Sequence, residues 1–135
     1  MARAAARLRA AVLQADSPIE RVEAWIRGVI SAADDPRRVA RARLFSTQQA
    51  VLRRFAVELD ASVQLLLEPL RDAIAWGAAT GAFPWADPAR DAELIYALAG
   101  REMTTALDDR PDRRVAGIVS ETTAFALRAL GVAPN

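Results

Sequence analysis

Leu65 to Met103 is the stretch that most constrains how this chain can fold. It holds the end of a long apolar helix interrupted by Pro69, then a Gly81-Ala82-Phe83 turn followed by Trp85. Asp87-Pro88 next starts a helix that is apolar nearly all round. The chain has to reverse at that turn, and the second helix needs something to pack against on more than one side. We read the stretch as the joint between an apolar pocket and a surface for a second subunit.

The flanking segments read as helices too. Ala2 to Ala15 has a weak apolar face at Leu8 and Val12, with Arg3, Arg7 and Arg9 outside it. In Ser17-Pro18-Ile19-Glu20, Ser17 can cap, Pro18 fits the first helical position and Glu20 closes a capping box. Ile19, Val22, Ile26, Val29, Ile30 and Ala33 then recur at helical spacing with Trp25 beside them. Asp35-Pro36 starts a short helix ending near Leu44.

The long helix is expected from Thr47. Phe45, Gln48, Leu52, Phe55, Leu59, Val63, Leu66, Leu70 and Ile74 keep one apolar phase across Pro69, so a kink is expected there rather than a stop. Gly81 is its natural C-terminal cap. After a charged loop at Asp108 to Asp112, Pro111 leads into the last helix, which Gly131 caps. No alternating run of β-branched or aromatic residues marks a strand. The expectation is one all-α domain over residues 1–135, a bundle of about six helices.

The last two helices carry apolar residues on more than one face. In the final one, Val115, Ile118, Thr122, Phe125 and Ala129 form one stripe, and Val119, Thr123, Ala126 and Leu130 a second. A two-fold four-helix interface between subunits satisfies both faces. Its expected contributors are Leu94, Ala97, Leu98, Arg101, Val115, Ile118, Val119, Thr122 and Phe125. Ala97, Gly100, Gly117 and Ala124 are small enough to allow close approach. The alternative is a monomeric bundle with these helices at its centre.

Composition narrows the chemistry. The chain has no Cys and no His, which excludes disulfides, thiol nucleophiles, His-based metal sites and His general bases. All 18 basic residues are Arg, the formal net charge is +1, and overall charge argues neither for nor against a polyanionic partner. Ser and Thr have no His or Lys to activate them, so an enzyme is not expected. Asp34/Asp35 and Asp108/Asp109 sit at helix junctions, where capping explains them better than a cation site. No cofactor or metal is expected. Arg37 to Arg54 holds six arginines and no acid, and its apolar positions keep a core phase, which reads as a solvated face. No apolar run approaches a membrane span, and a cytoplasmic location is the default expectation.

The order of these elements resembles the C-terminal ligand-binding and dimerisation domain of TetR-family transcriptional regulators. The carrying residues are Leu66-Leu67-Glu68-Pro69-Leu70 with Ile74, Trp76-Gly77-Ala78-Ala79-Thr80-Gly81-Ala82-Phe83, and Asp87-Pro88 with the helix through Leu98. Asp16 to Val22 also resembles the entry into that family's pocket helices. The resemblance implies a homodimer that binds a hydrophobic or amphipathic effector. It further implies operator DNA binding only through an upstream helix-turn-helix, a unit these residues do not contain. A chain of this kind is either part of a longer regulator or a stand-alone helical protein that heterodimerises with a related regulator.

A pocket in such a bundle is expected between the helix from Pro18, the long helix and the penultimate helix. Trp25, Phe45, Gln48, Leu52, Phe55, Trp76, Tyr96 and Met103 are the candidate walls, with Gln49 and Glu102 as polar groups. For each apolar residue among them, ordinary core packing is the competing role.

Overall fold

The computed structural model describes residues 2–31, 56–107 and 115–133. Among these residues the chain forms five α-helices and no strand. They are α1 (Ala2–Leu13), α2 (Pro18–Ile30), α3 (Ala56–Thr80), α4 (Pro88–Leu107) and α5 (Val115–Ala129). The all-α class is as expected, but the count among the described residues is five rather than about six. The short helix expected from Pro36, and the long helix before Ala56, lie outside the described residues.

Local chemistry accounts for the helix ends. Ser17 is extended at φ −137°, and its Oγ accepts a hydrogen bond from the Glu20 amide at 3.1 Å. The Glu20 carboxylate reaches back one residue further than expected, to the Asp16 amide at 3.2 Å. Asp87 repeats the device at α4. Its Oδ1 accepts from the Arg90 amide at 3.4 Å, and its own amide donates to Asp91 Oδ2 at 2.8 Å. Each arrangement occupies amide donors that a helix start leaves without partners.

The C-terminal ends use glycine where the backbone turns left-handed. Gly81 closes α3 at φ +82° and Gly131 follows α5 at φ +97°. At Gly131 the Val132 amide donates to the Leu127 carbonyl at 2.9 Å, and the Gly131 amide to the Arg128 carbonyl at 3.0 Å. That pair of bonds is a Schellman motif. The Trp85 amide donates to the Leu130 carbonyl at 3.2 Å, which ties the α3–α4 corner to the end of α5.

Helix α3 continues through Pro69, as its unbroken apolar phase predicts. Its inward face is Leu67, Leu70, Ala73 and Ile74. Helix α1 buries Ala5, Leu8 and Val12 and exposes Arg3, Arg7 and Arg9. Arg9 reaches Glu68 on α3 at 3.0 Å, an exposed pair of small energetic weight.

Helix α2 is the centre of the bundle and packs against all four other described helices. Val22, Trp25, Ile26 and Ile30 on it are fully buried. Its central place differs from the expectation that Leu65 to Met103 organises the fold. The two stripes expected on α5 also differ from what is found. Ile118, Val119, Thr122, Thr123 and Ala126 merge into one wide face turned into the protomer, while Phe125 stays 54 % exposed. On α4, Ala92, Ile95 and Ala99 point inward, and Leu94, Ala97 and Arg101 are exposed.

Candidate functional site

The expected pocket lies where α2, α3 and α4 meet, and at the level of Trp25 that space is packed. Trp25 is fully buried, in one core cluster with Ile26, Leu70, Ile74 and Ile95. Its indole N–H donates to the Leu66 carbonyl at 2.8 Å. Tyr96 meets the Trp25 ring edge-on with centroids 6.5 Å apart. Burial raises the Tyr96 phenol above the ordinary tyrosine range, because desolvation disfavours the phenolate. Among the described residues Trp25 is part of the core.

Trp76 is half-buried and serves as a platform. The Arg21 guanidinium lies over its ring at 4.5 Å, while Arg21 Nε donates to the Ala15 carbonyl at 3.1 Å. The arginine thereby joins the α1–α2 turn to α3 through a cation–π contact. Glu102 and Met103 are half-buried, about two turns beyond Tyr96 on α4. Phe45, Gln48, Gln49, Leu52 and Phe55 lie outside the described residues.

The residues expected at a subunit interface divide into two groups. Ile118, Val119 and Thr122 are buried within the protomer, and Leu98 and Val115 are half-buried. Leu94 and Phe125 are about half exposed, and Ala97 and Arg101 are also exposed. The Arg128 guanidinium sits 6.0 Å from the Phe125 ring.

Among the described residues, open volume is found between α2 and α5, in a groove of about 560 Å³. Glu23, Arg27 and Ser31, spaced one turn apart along α2 and its C-terminal end, form one wall. Val115, Val119, Thr123 and Leu127 on α5 form the other, with Ala116, Ser120 and Ala124 along the rim. Glu23 and Arg27 pair with each other, so that wall carries no net charge. The Thr123 hydroxyl is enclosed and has no hydrogen-bond partner among the described residues. A buried hydroxyl in that state carries its full desolvation penalty.

The sequence contains a faint signal for this groove, Glu23, Arg27 and Ser31 aligned on the polar side of an amphipathic helix. Among the described residues, no group of His, Cys, Asp or Glu is arranged to hold a metal ion. Among the same residues, no helix is long and apolar enough to cross a membrane. No protein-family model, curated protein or solved structure matches the chain.

Proposed function

We propose that this chain is the effector-sensing and dimerisation domain of a TetR-like transcriptional regulator. In that role it binds a hydrophobic or amphipathic small molecule, and dimer geometry relays the binding to an upstream DNA-reading unit. The observation that carries the reading is the outward surface of α4 and α5. These adjacent helices follow a filled core, yet they leave Leu94 at 50 % and Phe125 at 54 % exposure. Large apolar side chains on the outer faces of a helix pair suit a two-fold interface, where each helix repeats against its copy. The Gly77 to Phe83 corner and the Asp87-Pro88 start, which carry the resemblance, support the same reading.

The test is the mass of the protein in solution. Light scattering at micromolar concentration is expected to give a dimer. A Leu94→Glu, Phe125→Glu double substitution is expected to give a monomer with unchanged helical circular dichroism, because both side chains lie outside the core. A monomeric parent protein, or a double variant that remains a dimer, sinks the interface assignment.

A further inference from the structure

We propose that the α2–α5 groove is the effector site, and that it takes a small uncharged molecule with an apolar body and one hydrogen-bonding head. This rests on the effector-binding part of the proposed function but places the site away from the junction of α2, α3 and α4. The apolar body follows from the lining. Val115, Val119 and Leu127 supply alkyl surface, and the only charges on the walls among the described residues, Glu23 and Arg27, neutralise each other. A charged ligand would have to break that pair to gain a counter-ion.

The head follows from Thr123. Threonines inside helices commonly return their hydroxyl to the carbonyl four residues back. Thr80 does so to Trp76 at 3.1 Å, and Thr104 to Gly100 at 3.0 Å. Thr123 makes no such bond, although its side chain is only 7 % exposed. It lines the groove. A helical threonine can occupy two χ1 wells, and in the proposed complex a turn about χ1 brings the oxygen to the ligand head. A ligand carbonyl, hydroxyl or amine there gives the oxygen the partner it lacks, and an apolar body covers the alkyl walls. The volume of about 560 Å³ is within the range of small-molecule sites.

The probe is 1-aminoanthracene, which is uncharged, mostly apolar and carries one amine. Its fluorescence is expected to rise saturably with one site per chain. Ser120→Trp places a large ring at the exposed groove rim without entering the core, and is expected to weaken binding at least about tenfold. Thr123→Val keeps the shape and removes the hydroxyl. It is expected to weaken binding about fivefold without lowering the melting temperature. Absence of saturable binding by the parent protein, or undiminished binding by Ser120→Trp, overturns the groove. Undiminished binding by Thr123→Val overturns the role given to the hydroxyl. The mass of the same samples separates this from the parent reading. A monomer with probe in the groove keeps the site and removes the dimeric regulator, whereas a dimer with no groove binding removes the site alone.

Discussion

Trp25→Ala is expected to lower stability by about 3–5 kcal/mol, the upper range for truncating a core side chain. The indole is fully buried in the middle of α2, where it touches both α3 and α4. Truncation leaves a cavity in the core cluster, and it strips the Leu66 carbonyl of the indole donor at 2.8 Å. Against a typical total of about 5–15 kcal/mol, that loss removes about a fifth of the stability or more. A fall in melting temperature of about 10–20 °C is expected in a calorimetric scan. Trp25→Phe separates the two contributions. It keeps most of the apolar volume and removes the N–H, so a loss of about 1–2 kcal/mol is expected from the missing bond. If Trp25→Ala melts within a few degrees of the parent, the indole is not the centre of the core.

Gly77→Ala is expected to destabilise by about 2–3 kcal/mol, although alanine favours a helix by about 1 kcal/mol over glycine. The Phe83 ring, 1 % exposed, packs directly on Gly77 where a side chain would begin. An added methyl would overlap that ring, with its Cγ only 2.7 Å away. The ring has little room to move, because the Phe83 amide is itself bonded to the Gly77 carbonyl at 3.0 Å. Gly100→Ala is the matched control. Among the described residues of the protomer nothing lies within 4 Å of the methyl it would add, so within one protomer helix propensity alone predicts a gain of up to about 1 kcal/mol. Urea denaturation of both variants should therefore move the midpoint in opposite directions. A shift of the same sign in both would mean that the Gly77–Phe83 contact does not hold the corner.

The parts of the fold set by short-range chemistry were legible from residue order. Ser17-Pro18 and Asp87-Pro88 start helices as their side chains dictate, and Gly81 and Gly131 end them. Burial of Leu8 and Val12 followed from helical spacing alone. What depends on how helices face one another was not legible. Two apolar stripes on α5 could be read as two contact surfaces, and the packing of α2 and α4 against α5 gathers Ile118, Val119, Thr122, Thr123 and Ala126 from both into one buried face.

The hydrogen bond of Trp25 was hidden for a related reason. Its hydrogen-bond partner is the backbone carbonyl of Leu66, which has no side-chain signature. The α2–α5 groove is hidden likewise, since Glu23 and Thr123 are far apart in the chain and each resembles an ordinary helix residue.

The central place of α2 also sets the order in which the bundle opens. Helix α1 packs chiefly on α2 and α3 and can leave while the rest holds. Helix α2 cannot be released without parting its contacts with all four neighbours. Its amide protons should therefore exchange with deuterium only through whole-molecule unfolding, while those of α1 exchange through a smaller, earlier opening. Exchange rates along α2 would then report the global stability of the protein.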